Sequence, residues 1–549
     1  MRMPPSRWRQ TEAAGSTSLL RHAYDELGNR VQTILPDGRV LNNLYYGSGH
    51  LHQINLDGEL ITDIERDRAH RMISRTQGAP VSQFQYDPVG RLLSQTAVAP
   101  TAGEGATPVI ARKYEYDEVG NLVSIDDQRN GVTRYSYDPI GRILSAVQPN
   151  LTERFAFDPA HNLLDTTVAS VGRVEGNRIR VYEDKRYDYD EHGNVVEKLI
   201  GKHTRMRFEW NAAHQMVKSI VTRSSSDTAQ TVRYAYDPFG RRIAKKDAFG
   251  VTRFVWDGNR LLCEQRGSHA RTYVYGEDEF VPVARIDTVI RSEAASRAEV
   301  HHLHTDHLGT PRELTDLHGQ LIWTAQYRAW GGVSSYANDR PSLATTVELQ
   351  DETSAQPLRF QGQFHDDETG LHYSWFRYYD PDIGRFASID PLGLAGGSNG
   401  FAYAANPVSW VDPYGLSPCD SSGKQPRRTF SVKDPGVPEL IEAIQSRFPG
   451  KVRNAEVEVY RPDGTPYTDF DVVTDTHVIQ VKVGSGKGIV KQIQTTQALT
   501  DLEVVGFDVG KLLGKRDAFK GSVMKSAQQE GIFITNDIES LLSTIGPGK

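Results

Sequence analysis

The sequence predicts a mainly β chain in which a long run of hairpins stacks into a solenoid or shell, followed by a small mixed α/β domain. Three observations predict it. A Tyr-Asp turn pattern recurs through most of the chain with a period of about 20 to 21 residues. The pattern stops after Leu416. Beyond that point the apolar runs follow the order α-β-β-β-α-β.

The repeats read "YDELGNR" at Tyr24, "YDPVGRL" at Tyr86, "YDEVGNL" at Tyr116, "YDPIGRI" at Tyr137, "FDPAHNL" at Phe157, "YDEHGNV" at Tyr189, "WNAAHQM" at Trp210 and "YDPFGRR" at Tyr236. Wider gaps hold weaker copies, "YYGSGHL" at Tyr45 and "ERDRAHRM" at Glu65. Each unit is an alternating aromatic strand, an Asp-x-x-Gly turn and a second strand. The Asp can accept backbone amides within the turn, and Gly takes the positive φ that the turn needs. One hairpin cannot bury its own apolar face, but a stack of them can.

Composition narrows the function classes. The chain has 549 residues, 38% of them apolar, which suffices for several packed cores. Its formal charge of -7 gives no global basic footprint, so any nucleic-acid role needs a local site. No apolar run approaches the roughly 18 residues of a membrane span, so no stable membrane insertion is expected. The opening "MRMPPSRWRQTEAAG" lacks an apolar h-region and is not expected to act as a secretory signal. Cys263 and Cys419 are the only cysteines, too few for a disulfide framework.

After Leu416 comes a polar linker, "SPCDSSGKQPRR". A helix is expected over 437–448, strands over 455–461, 469–474 and 477–483, a helix over 487–500 and a strand over 502–509. A helix over 516–529, a strand over 531–535 and a short helix over 537–545 close the segment. Within "DFDVVTDTHVIQVKVG" (469–484), Gln480 and Lys482 share one face of a strand, Ile479 and Val481 take the other, and Asp471 opens the neighbouring strand. Residues 417–549 carry 17 Lys and Arg against 17 Asp and Glu, so local placement must attract any polyanion. His477 is the segment's only histidine and Cys419 its only cysteine, which leaves no Cys-His pair and no zinc cluster.

The Tyr-Asp units, with "DHLGTPRELTDLHGQLIWTAQYRAWG" (306–331) and "LRFQGQFHDDETGLHYSWFRYYDPDIGRFASIDPLGL" (358–394), closely resemble the rearrangement-hotspot (Rhs) and YD-repeat family. The resemblance implies a hollow β shell enclosing a variable C-terminal toxin domain. It divides the chain into a lead segment 1–19, a YD-repeat shell 20–300, a core-associated region 301–416 with a self-cleavage site, and a toxin domain 417–549. "NPVSWVDPYGL" (406–416) fits the family's Pro-x4-Asp-Pro-x-Gly-Leu pattern. Two carboxylates in a closed space cannot both ionise cheaply, and that division of labour is what aspartic peptide cleavage requires. The resemblance therefore implies that Asp390 and Asp412 cut between Leu416 and Ser417, with Arg385 orienting or charge-balancing them. Asp-Pro is also an ordinary turn opener, which is the structural alternative.

The 417–549 segment resembles the PD-(D/E)xK nuclease superfamily, of restriction-endonuclease-like fold, in its Gln-x-Lys form. That resemblance implies Asp471 and Gln480 as ligands of Mg²⁺ or Mn²⁺ and Lys482 as the group serving the attacking water. Gln480 offers only a neutral oxygen, so a further acid is wanted: Glu442 is the first candidate, Glu456 and Glu458 its rivals. Lys487, Lys491 and Gln494 could meet phosphates. The combined expectation is a bacterial polymorphic toxin made in the cytoplasm, exported by a secretion-system carrier without a signal peptide, and acting in the cytoplasm of a competitor. Its substrate would be nucleic acid, DNA favoured over RNA, and an immunity protein would protect the producer. The alternative is a structural or glycan-binding YD-repeat protein with an inactive tail, Gln480 and Lys482 being a solvated strand face.

Overall fold

The computed structural model describes residues 7–13, 16–47, 49–99, 107–166, 174–226, 228–277, 280–290, 297–337, 356–393, 397, 399–416, 440–441, 443–444, 447, 452–460, 466–474, 476–482, 489–497, 503–508 and 521–546. The chain divides into two compact units, Met1–Asp390 with Phe401–Ser422, and Pro391–Gly400 with Gly423–Lys549.

The first unit is built on two large antiparallel meanders. One has 14 strands, from Arg7–Ala13 to Leu151–Arg154, and the other has 15, from Val181–Tyr182 to Val333–Ala337. Every strand pairs with its sequence neighbour, as short turns dictate. A four-stranded sheet, Phe364–His365, His372–Ser374, Arg377–Asp380 and Arg385–Phe386, follows.

The repeat chemistry is visible at Asp117. Its Oδ1 accepts the Asn121 amide at 2.7 Å, its carbonyl accepts the Gly120 amide at 3.1 Å, and Gly120 has φ +98°. In the divergent copies, histidine takes that place at positive φ: His70 (61°), His161 (62°) and His214 (57°). The weak copies at Tyr45 and Glu65 are real turns, closed by Tyr46 N–H to His50 O and Asp67 N–H to Arg71 O, both 2.9 Å. The tyrosine has its own task. The units at Glu65, Tyr116 and Trp210 carry a register shift just before the turn Asp or Asn, and the next unit's tyrosine hydroxyl donates to the carbonyl opposite that bulge: Tyr86 to Met72 (2.8 Å), Tyr137 to Leu122 (2.5 Å), Tyr236 to Met216 (2.7 Å). Where the turn ends in Arg, the guanidinium bridges its own turn Asp to the next aromatic. Arg91 holds Asp87 at 2.6 Å and lies 4.8 Å from the Tyr116 ring; Arg142 holds Asp138 at 2.6 Å and lies 5.1 Å from Phe157.

The two meanders bury their faces together. Leu20, Leu51, Ile54 and Ile64 of the first pack with Val255, Leu262, Val283 and Ile286 of the second. Farther along, Tyr114, Leu122 and Ile143 join Met206, Phe208 and Phe254 and, from the small sheet, Tyr373 and Tyr378. Each such side chain contributes about 1.5–3 kcal/mol by burial. Arg112 reaches across to Glu313, and Arg242, wrapped by Tyr234, Phe254 and Tyr373, pairs with Asp366 at 2.5 Å. A polar cavity of about 1040 Å³ in this unit is lined in part by Lys245, Arg266, Asp287, Arg359 and Glu368.

The second unit holds a five-stranded mixed sheet. Val452–Tyr460, Pro466–Thr474 and His477–Lys482 form an antiparallel meander, to which Glu503–Asp508 and Ile534–Thr535 add in parallel. Parallel neighbours need crossovers, and the helices Ile489–Gln497 and Gly521–Gln529 lie between them in sequence. One sheet face, Val472, Ile479, Val481, Val505 and Phe507, packs on Leu440, Ile441, Ile444, Leu541, Leu542 and Ile545. The other, with Val478 and Val504, packs on Ile489, Ile493 and Ala527. The α-β-β-β-α-β order read from sequence is therefore present, its first helix represented by helical residues between 440 and 447. No helix among the described residues is long and apolar enough to cross a membrane.

Candidate functional sites

Asp390 and Asp412 converge. Both lie at one nitrogen of a buried arginine: Arg377 Nη2 is 3.0 Å from Asp390 Oδ2 and 3.5 Å from Asp412 Oδ2. The three side chains are at most 3% exposed. Arg377 is set by the strand Arg377–Asp380; its guanidinium lies 3.6 Å from the Phe386 ring centre, and its Nε donates to the Gly415 carbonyl. The Leu416 amide donates to Asp412 Oδ1 at 2.9 Å, and the Asp412 amide to the Tyr403 hydroxyl at 3.2 Å. Gly415 has φ +70°, and a Cβ there would lie 2.9 Å from the Ser374 carbonyl, so only glycine brings the chain this close to Arg377.

Arg385 is a correction. Expected beside the aspartate pair, it instead reaches Asn162 Oδ1 (3.2 Å) and the Asn177 carbonyl (2.5 Å) and lies 4.8 Å from the Phe401 ring. Arg377 holds the expected place. Burial pulls its guanidinium below the ordinary arginine value, against the opposing pull of the Asp412 and Asp390 charges. One guanidinium and two carboxylates in a dry site reach neutrality when one carboxyl keeps its proton, the state an acid/base pair needs. Ser417 lies outside the described residues.

In the second unit the register assembles the other candidate site. Val472 pairs with Ile479 and Val473 with Val478, so the next step sets Asp471 opposite Gln480. Ala455 pairs with Val472 and Val457 with Phe470, which sets Glu456 level with Asp471. Gln480 pairs with Gly506, completing a row of Glu456, Asp471, Gln480 and Gly506 across four strands. Beside it, Glu458 pairs with Asp469, and Lys482 with Asp508. Asp469 and Asp508 were not singled out from sequence. The signal lay in the first Asp of "DFD" and in an acid ending an apolar strand.

Gln480 is fully buried, and its Nε2 donates to Thr496 Oγ1 on the helix Ile489–Gln497 at 3.2 Å. A solvated strand face therefore does not describe it. Gly506 explains how the helix comes so near: a Cβ there would lie 2.9 Å from Ile493 Cδ1 and 3.0 Å from Ile489 Cδ1. Lys491 and Gln494, expected to meet phosphates, are exposed on that helix, and Gln494 donates to Glu530 at 3.2 Å. Glu442 and Lys487 lie outside the described residues. Among the described residues no group of three His, Cys, Asp or Glu side chains forms a metal cluster.

Comparison with known proteins bears on the first unit. The Teneurin YD-shell family model matches residues 105–393. The chain is 42% identical over 483 residues to "Double-stranded DNA deaminase toxin A" of Burkholderia cenocepacia, covering 83% of this chain and 33% of that protein. It is 32% identical over 328 residues to "Probable deoxyribonuclease RhsA" of Dickeya dadantii, covering 56% and 21%. The Photorhabdus luminescens Tc holotoxin pore shares its fold at TM-score 0.61 and 21% identity, over 75% of this chain and 22% of that one. The chain thus spans a third or less of these relatives' length. The family match ends at residue 393, ahead of Asp412 and of the whole second sheet.

Proposed function

The chain belongs to the Teneurin YD-shell family, and on that footing we propose that it is a self-processing Rhs-type toxin whose C-terminal unit is a metal-dependent nuclease. The observation that carries the processing step is the convergence of Asp390 and Asp412 on Arg377 Nη2 while Arg377 and Asp412 grip Gly415 and Leu416. The ionised carboxyl takes a proton from water as the water oxygen adds to the Leu416 carbonyl carbon. The protonated one donates to the departing Ser417 nitrogen. Arg377 keeps the pair singly charged and ties the strand before the scissile bond in place.

For the C-terminal unit, relatives differ in the activities their names carry, a DNA deaminase in one and a deoxyribonuclease in another. Zinc deaminases take their metal from one His and two Cys or from three Cys. Residues 417–549 contain one His and one Cys, so the deaminase reading lacks its ligands. The row of Glu456, Asp471 and Gln480 beside Lys482 supports a nuclease instead. Its oxygen donors suit a hard cation, and the bond from Gln480 Nε2 to Thr496 leaves the amide oxygen as the atom that would meet one. Mg²⁺ or Mn²⁺ bound there would activate water and screen phosphate charge. Glu456, level with Asp471, serves as the further acid beside the earlier candidate Glu442.

DNA is the proposed substrate, the cytoplasm of a competing bacterium the proposed site of action, with a secretion-system carrier and an immunity protein as partners. The test is direct. Purified full chain should separate into 1–416 and 417–549 on a denaturing gel and degrade DNA with Mg²⁺ or Mn²⁺ but not with chelator. An uncut chain with no chelator-sensitive activity would leave a structural or glycan-binding shell with an inactive tail.

A further inference from the structure

Where the two meanders meet, one patch of the seam is polar and short of hydrogen-bond partners, although the Arg75 guanidinium lies 5.6 Å from the Phe84 ring centre. Arg75, on the strand Met72–Thr76, is 3% exposed, and its Nε and Nη2 have no hydrogen-bond partner among the described residues. These two nitrogens form the side of the guanidinium that grips an anion in bidentate fashion. Ser82, directly opposite Arg75 in the register, is fully buried with its hydroxyl unpaired. From the second meander, His302 and His304 share one face of the strand Arg297–Thr305, both fully buried. His302 has no partner on either ring nitrogen; His304 has none on Nδ1, its Nε2 meeting Thr315 Oγ1 at 2.9 Å.

Gln77 Nε2, two residues beyond Arg75, donates to the carbonyl of Leu303, between the two histidines, at 3.4 Å, so these groups lie within one another's fields. Arg75 is among the charges that, with burial, hold both imidazoles below the ordinary histidine value. Burial brings the Arg75 guanidinium down only to about 10, so it is charged at neutral pH. A buried charge and unpaired donors are unfavourable if left alone. Gln77 Oε1, also unpaired nearby, is one neutral acceptor and carries no countercharge.

We propose that the seam between the two meanders binds one small monoatomic anion, chloride in the cell, held by Arg75 with Ser82, His302 and His304. The unpaired Arg75 N–H groups ask for an electron-rich occupant, and the Arg75 charge asks for one negative charge. Gly78 brings the first meander close to this group: a Cβ on it would lie 3.1 Å from His302 Nε2 and 2.7 Å from the Leu317 carbonyl. The ion joins strands more than 200 residues apart in sequence, so it acts as a clasp between the meanders.

The test uses the full chain. Crystals soaked in bromide should show an anomalous peak beside Arg75 Nε and Nη2. In solution, replacing gluconate by chloride at fixed ionic strength should raise the melting midpoint, by about 1 to 2 °C per tenfold chloride above the dissociation constant. Arg75→Met should abolish both signals. If that variant does not fold, His302→Phe, which keeps ring volume without an N–H, should raise the chloride midpoint at least tenfold. A wild-type chain with only water beside Arg75, or with the same melting midpoint in both salts, overturns the proposal. A sulfate or phosphate bound there overturns the assignment to a monoatomic ion.

Discussion

Replacing Asp390 and Asp412 with asparagine, singly and together, separates cleavage chemistry from folding. Arg377 is 1% exposed at its side chain and has both carboxylates on one nitrogen, at 3.0 and 3.5 Å. Either single variant leaves one carboxylate to ionise fully against the guanidinium, so each should cost about 1 kcal/mol of stability. The double variant leaves a buried cation without its carboxylates, at about 3–5 kcal/mol, well beyond the sum of the singles. Cleavage should follow the opposite pattern. Each single variant removes an acid/base partner and should slow processing by about 10²–10⁴-fold, and the double should be scarcely slower than either. The assay pairs denaturant melts with intact-mass analysis of freshly refolded chain over time. Single variants that process at the wild-type rate would refute the acid/base pair. A double variant as stable as the singles would refute the role given to Arg377.

Gly415→Ala must accommodate φ +70° and a Cβ 2.9 Å from the Ser374 carbonyl; it should lose about 1–3 kcal/mol and slow processing, read by the same melts and mass analysis. Lys482→Ala should spare metal binding, measured calorimetrically, yet lower DNA cleavage about 10²–10³-fold, whereas Asp471→Ala should lose both. Gln480→Glu should stay folded and active or change metal preference, since the Thr496 hydroxyl that now accepts can rotate to donate; a dead but folded variant would count against Gln480 as a ligand. Burial pulls His302 down to about 4, so its contribution to stability is complete above about pH 6.5 and is lost as pH falls toward 4. In chloride-free buffer this should amount to about 2 kcal/mol at pH 5, and His302→Phe should remove that slope in denaturant melts at pH 5 and 7.

The repeats were legible because their determinants are local. Asp117, Gly120 and Asn121 close one turn among themselves, and the tyrosine of the next unit acts one strand away, so even the weaker copies at Tyr45 and Glu65 could be found from spacing alone. The identity of the arginine at the aspartate pair was not legible. Arg377 and Arg385 belong to successive strands of one small sheet, and Arg385 stands nearer Asp390 in sequence. What separates them is where the sheet lies: Arg385 meets Asn162 and Asn177, residues more than 200 positions away, and no local pattern encodes that meeting.

The same limit, met in the C-terminal unit, bears on how its site would work. Period-two alternation correctly put Ile479 and Val481 on one face and Gln480 on the other. It could not say that the helix Ile489–Gln497 covers Gln480 and binds its amide through Thr496. A side chain held this way is already oriented, and the neighbouring Gly506 is what lets the helix come close enough to hold it. Gly506→Ala is therefore a test at a distance from the reacting atoms. Its Cβ would fall 2.6 Å from Ile534 Cγ2 and 2.9 Å from Ile493 Cδ1, pushing the helix outward and costing about 1–3 kcal/mol. If Thr496 positions Gln480, the variant should bind Mn²⁺ more weakly in calorimetry even at temperatures where it remains fully folded. Unchanged Mn²⁺ affinity in folded protein would show that the helix packs over Gln480 without orienting it.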